Sequence, residues 1–158
     1  MAEQKKKKTK TKNELFHDFG EMGSATELNL CAEGLLEEGD IESLKAFAAE
    51  NGFTEKDVTQ WIADRDTFSD KPFCDAISAA SAKLNLEAKN DVEKQAAELL
   101  SSELDDLDLA IGIRKKGKRL KDAFGKVEDY AKNHKNGNKA IVSDGKALEI
   151  MKKYYKEG

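Results

Sequence analysis

Residues 99–121, LLSSELDDLDLAIGIRKKGKRLK, reverse the charge of the chain across an apolar run with helical spacing, and this limits what the rest can fold into. Glu103, Asp105, Asp106 and Asp108 come first; Arg114, Lys115, Lys116, Lys118, Arg119 and Lys121 follow. Leu100, Leu104, Leu107 and Ile111 fall at i, i+4, i+7 and i+11, which predicts one face of a helix. Val92 and Ala96 extend that face upstream, and Leu120, Phe124, Val127 and Ala131 repeat it downstream. Gly112 and Gly117 lie between the two runs, and each costs a helix interior ~1 kcal/mol relative to Ala, so a break or bend is expected there. Cations near a helix C-terminus oppose the macrodipole. The basic residues are therefore read either as a helix's last turn or as a surface that also touches a polyanion.

The chain of 158 residues is long enough for a real core, and its 39% hydrophobic and 37% charged residues suit a helical protein with a solvated surface. One proline and almost no β-branched runs argue against a sheet. The predicted fold is all-α, an irregular bundle of about six helices with antiparallel neighbours. A single helical domain over residues 13–158 follows a disordered Lys-rich tail at 1–12. No apolar run approaches the about 18 residues that span a membrane. MAEQKKKKTKTK has no apolar core of a secretory signal, and Cys31 and Cys74 form no CxxC, so reduced thiols and a cytoplasmic protein are expected.

The net charge of −4 hides a division into three parts. Residues 1–12 carry +5, the acidic body 13–110 carries −17, and the basic C-terminal part 111–158 carries +8. Such asymmetry implies electrostatic recognition of a partner, or internal pairing of the acidic body with the basic end.

Leu15, Phe16 and Phe19 predict a short helical turn ending at Gly20 and Gly23. Ser24 and Glu27 have capping-box spacing before a helix to about Glu38, with Leu28, Cys31, Leu35 and Leu36 inward. Asp40 caps a helix at 41–51 stopped by Gly52, and Thr54 caps a third with Val58, Trp61 and Ile62 inward. Pro72 is expected to open a fourth helix at its first turn, with Phe73, Ile77, Ala80 and Leu84 facing the core. Asn90 or Asp91 starts the long helix through the charge reversal. A turn at 133–138 and a short extended link at 139–142 precede a last helix, capped by Ser143 or Asp144, that ends near Lys156. Its Tyr154 and Tyr155 either anchor it on the core or stack on bases.

Residues 44–63, LKAFAAENGFTEKDVTQWIA, resemble the helix-turn-helix of bacterial repressors at Ala48, Gly52, Val58 and Trp61. The resemblance implies that Thr54, Glu55, Lys56, Thr59 and Gln60 face the major groove. Against it, residues 40–66 carry seven acids and three cations, a surface that phosphates repel, and a generic helical hairpin accounts for the same positions. Asp64, Asp66 and Asp70 approach the spacing of a calcium loop, but Ser69 stands where the turn Gly is needed and Asp75 replaces the bidentate Glu. The two histidines, His17 and His134, have no sequence-adjacent partner, and no HExxH, CxxC, GxSxG, Walker or dinucleotide pattern occurs. No catalytic residue, metal or cofactor is assigned.

In overall character the chain resembles small helical accessory or anti-defence proteins of bacterial mobile elements, including inhibitors of RNA-guided nucleases. That resemblance implies a non-enzymatic protein that binds and modulates a nucleic-acid-processing protein complex. The resemblance transfers no residue role; the charge pattern puts the interaction residues among Glu103, Asp105, Asp106 and Asp108 on one side and Arg114, Lys115, Lys116, Lys118, Arg119 and Lys121 on the other. The partner is expected to be a protein or nucleoprotein complex and not a membrane. Nucleic acid is the alternative, reached through the basic tail and residues 114–121 or read by Thr54, Lys56, Thr59 and Gln60 of a DNA-binding regulator.

Overall fold

A computed structural model describes residue 16, residues 18–134 and residues 142–157. Among these it contains eight α-helices and no strand. They are α1 (Ala25–Glu37), α2 (Ile41–Glu50), α3 (Glu55–Asp64), α4 (Ala76–Glu87), α5 (Asp91–Ser101), α6 (Leu107–Arg114), α7 (Leu120–Asn133) and α8 (Asp144–Lys156). The all-α expectation holds, with eight helices rather than about six. The tail at 1–12, Leu15 and most of the 133–142 connection lie outside the described residues.

Short polar side chains start nearly every helix. Ser24, Asp40, Thr54, Asp75, Asn90, Asp106 and Ser143 each accept a backbone amide of the first turn. At α1 the box is shifted: Ser24 Oγ accepts from Glu27 N at 3.1 Å, but Glu27 Oε1 accepts from Gly23 N, one residue early, at 2.6 Å. Pro72 does not open α4; Asp75 does, trading hydrogen bonds with Ser78 in a reciprocal box.

The long helix expected from Asp91 stops at Ser101. Turn hydrogen bonds from Glu103 N to Leu100 O and from Asp106 N to Glu103 O redirect the chain, and Asp106 then caps α6. The apolar face therefore does not continue: Leu100 and Leu104 are buried, while Leu107 is 56% and Ile111 51% exposed. Val92 and Ile77, both expected inside, are 48% and 41% exposed. Leu109, Ala110 and Ile113 carry α6 into the core instead.

Two apolar clusters result, with α4 as the wall between them. Leu28, Leu44, Phe47, Val58 and Trp61 fill the first, formed by α1–α3. Leu84, Leu100, Leu109, Ile113, Leu120, Met151 and Tyr155 dominate the second, formed by α4–α8. Ala79 belongs to the first cluster and its neighbour Ala80 to the second, so α4 is covered on both sides. Its small residues allow that approach: a Cβ on Gly52 would come within 2.2 Å of Ala82 O. Gly112, expected as a break, lies inside α6 for the same reason, since a Cβ there would stand 2.3 Å from Tyr155 O on α8. The turn falls at Gly117, where φ is +87°.

Gly112→Ala should therefore cost on the order of 1–3 kcal/mol, because backbone of α8 must move. Gly125→Ala, inside α7 with nothing within 4 Å of the new methyl, should add about 0.5–1 kcal/mol. Thermal unfolding midpoints below and above the wild type, in that order, are the expected result.

Candidate functional site

The charge reversal is folded into the molecule only in part. Arg114, at the end of α6, is 1% exposed. Its Nε donates to Met22 O at 3.1 Å, Nη1 to Asn51 O at 3.2 Å and Ala79 O at 3.1 Å, and Nη2 to Asn51 Oδ1 at 2.6 Å. One guanidinium thus ties the segment before α1, the C-cap of α2 and the wall helix α4 to α6. Burial pulls Arg114 down to about 10, so it stays protonated at neutral pH. Arg114 is a core residue and leaves the basic surface assigned to it from the sequence.

Arg119 is held beside it. Its Nη1 and Nη2 each meet one oxygen of Glu21 at 2.8 Å, a bidentate pair. Lys83 Nζ lies 3.3 Å from Glu21 Oε2 and donates to Lys115 O at 2.9 Å, and the Gly117 amide donates to Glu21 at 3.0 Å. Burial alone would raise the Glu21 carboxyl, but Arg119, the Gly117 amide and Lys83 outweigh it and hold it at about 2. Burial lowers the Lys83 ammonium to about 8 against the pull of Glu87 and Glu21. Glu87 Oε1 accepts the Leu120 amide at 2.9 Å, standing in for the cap that Arg119 does not give α7. Its Oε2 is buried without a hydrogen bond, and burial raises this carboxyl. Phe16, with φ +62°, lies beneath both arginines at 5.9 and 5.6 Å from ring centroid to Cζ.

The other basic candidates divide. Lys118 donates to Tyr154 O at 2.7 Å and sits 4.3 Å from that ring's centroid. Lys115 is half-buried, and Lys116 and Lys121 are exposed. Tyr155 is fully buried and cannot stack on a base, while Tyr154 accepts from Arg119 N. Of the acids, Glu103 pairs with Lys152 at 3.2 Å, and Asp106 pairs with Lys156 at 2.7 Å besides capping α6. Asp105 and Asp108 are exposed and carry no ion pair among the described residues.

The α2–turn–α3 unit is present, and Thr54, Lys56, Thr59 and Gln60 are all exposed. Thr54 and Asp57 form a reciprocal capping box, Thr59 Oγ1 donates to Glu55 O, and Gln60 donates to Asp64. Thr54 and Gln60 also line a cleft of about 360 Å³ between α3 and α4. Its other residues include Phe53, Asp57, Trp61, Asp64, Lys71, Phe73, Ser78, Ser81 and Asn85. Asp64 of the calcium-like spacing is occupied by Lys71 and Gln60, and no group of metal-ligating side chains occurs among the described residues.

Sequence reasoning missed Glu21, Asn51, Lys83 and Glu87. Lys83 and Glu87 carried a signal, as an i,i+4 pair of opposite charge on a helix of small apolar residues. Glu21 carried none, since its partners lie 62 and 98 residues away. No family model, curated protein or solved structure matches the chain.

Arg114→Met should leave Asn51 Oδ1 and three carbonyls without their donor and cost on the order of 3 kcal/mol, read by urea unfolding. Lys116→Ala should stay within about 0.5 kcal/mol. Because the Glu21 carboxyl is lowered on folding, its stabilisation is full above its unfolded value of 4.5 and is lost as pH falls toward about 2. Glu21→Gln should lack that part of the wild type's acid sensitivity between those two values.

Proposed function

We propose that the chain is a non-enzymatic interaction protein that binds and inhibits or modulates a nucleic-acid-processing protein complex, with an RNA-guided nuclease as the concrete target. The observation that carries this reading is that Asp105 and Asp108 stay exposed without an ion pair among the described residues, while Arg114, Lys118 and Arg119 of the basic run that follows are engaged within the molecule. Arg114, Lys83, Arg119 and Lys118 are engaged within the molecule, and Lys152 and Lys156 are paired with Glu103 and Asp106. Asp105 and Asp108 at the head of α6, and Glu37, Glu38, Glu42, Asp66 and Asp70 around the first cluster, stay exposed. Exposed carboxylates present to a basic channel the charge that a phosphate backbone presents. A DNA-reading regulator is the second reading, favoured by the helical hairpin with Thr54, Lys56, Thr59 and Gln60 outward. Acids flank that hairpin, and Lys45 is tied to Glu55 at 2.9 Å.

The test is plasmid cleavage by the guide-loaded nuclease of the same host, with the purified chain added over a salt series. Inhibition that weakens with salt is expected. It should fall about tenfold when Asp105 and Asp108 both become Asn, and hold for Lys116→Glu with Lys121→Glu. Cleavage unaffected at any concentration, with sequence-selective DNA binding abolished by Gln60→Ala, would replace this reading with the regulator.

A further inference from the structure

The cleft between α3 and α4 takes no part in the charge network or in the acidic end of α6. We propose that it is a receptor for an arginine side chain of the protein partner. The inference rests on the proposed function for the partner's identity, while the chemistry comes from the cleft itself. Phe53 and Phe73 pack edge-to-face at 4.8 Å, and Phe73 packs on Trp61 at 5.1 Å; Trp61 is 2% exposed with Arg65 over its ring, so the half-buried Phe53 and Phe73 give the aromatic floor. One wall is the α3 face Asp57, Gln60 and Asp64; the other is the α4 face Ser78, Ser81 and Asn85. Both sets are spaced i, i+3 or i+4, and i+7, so each lies along one side of its helix. Asp57 Oδ2 accepts the Thr54 amide at 2.8 Å, and its Oδ1 has no partner among the described residues. Ser81 and Asn85 make no side-chain hydrogen bond there either. Lys71, the one cation lining the cleft, is paired with Asp64.

The occupant must satisfy an aromatic floor, a carboxylate oxygen on one wall and an amide and a hydroxyl on the other. An apolar group would strip water from Asp57, Ser81 and Asn85 without replacing their hydrogen bonds. A phosphate would meet two carboxylates. An ammonium is a point charge and cannot stack and reach both walls together, whereas a guanidinium is planar, stacks on rings and carries five donors in a fork. About 360 Å³ accommodates a whole side chain.

Trp61 is the only tryptophan, so its emission reports on the cleft. The probe is a blocked peptide with two arginines separated by glycine, titrated into the full chain beside its lysine counterpart. A saturable change in Trp61 emission is expected with the arginine peptide, and binding about tenfold weaker with lysine. Asp57→Asn keeps an oxygen for the Thr54 amide, and Asn85→Leu fills one wall; each should weaken the arginine peptide about tenfold, and Asp108→Asn should not. Side-chain amide NMR signals of Gln60 and Asn85 should shift along the same binding curve. Equal response to lysine, equal loss in Asp108→Asn, no loss in Asp57→Asn, or concentration-dependent dimerisation that occupies the cleft would each overturn the proposal, as would silence in both readouts. Peptide binding without nuclease inhibition refutes the proposed function alone, and inhibition with an unresponsive cleft refutes this inference alone.

Discussion

A guanidinium taken out of water must find an acceptor for nearly every N–H, and Arg114 finds four contacts on three separate parts of the chain. Two of the partners are backbone carbonyls at a helix end and on a helix flank, Asn51 O and Ala79 O, and a third lies in the connection at Met22. These positions are correct only when both apolar clusters are assembled against α4. The arginine therefore acts as a condition on the fold rather than as one more attraction within it. Truncation exposes that condition because the acceptors remain buried when the donor leaves. Glu21, Lys83, Glu87 and Arg119 extend it outward, so the segment before α1 is bound to the C-terminal half by the charge of Glu21 as well as by Phe16 against Arg114 and Arg119.

This use of the cations decides how the surface reads from outside. The sequence carries −17 over residues 13–110 and +8 over residues 111–158, numbers that describe two opposed patches if every charge is exposed. Folding buries Arg114 and ties Lys118, Arg119, Lys152 and Lys156 to carbonyls and carboxylates, while Lys116, Lys121, Lys126, Lys132 and Lys153 stay exposed. Most of the acids sit on outer helix faces or at N-caps, where water and the helix dipole favour them. Among the described residues the exterior keeps charges of both signs, and a cleft in it, between α3 and α4, is lined by carboxylates, amides, hydroxyls, aromatic rings and Lys71.

Local signals in the sequence were sufficient for much of the fold. Ser24, Asp40, Thr54, Asn90 and Ser143 announced helix starts because a short polar side chain before an apolar run has one good use. Asp75 was hidden behind Pro72, itself a helix opener. Asp106 was hidden by periodicity: Leu100, Leu104, Leu107 and Ile111 keep the phase of a helix across a turn that changes its axis, and phase alone cannot register a change of direction. Of the candidate acids, Asp105 and Asp108 are exposed, with Asp105 in the turn before α6 rather than on a continuous helix face. Arg114 was not placed as expected, although it follows Ala110 by four residues and Ile113 by one, on the side of α6 that enters the core. Six neighbouring cations look alike in sequence; which of them is buried depends on carbonyls contributed from residues 22, 51 and 79, and no local rule reaches that far.

The most direct measurement is hydrogen exchange at the Arg114 Nε–H, followed by NMR together with the backbone amides of α2 and α6. A guanidinium pinned between both clusters should exchange only when they separate, with the same opening free energy as the slowest amides of α2 and α6. Exchange of the Arg114 Nε–H at the rate of a solvent-exposed arginine, with the α1–α3 amides opening before those of α4–α8, would contradict the account and return Arg114 to the surface.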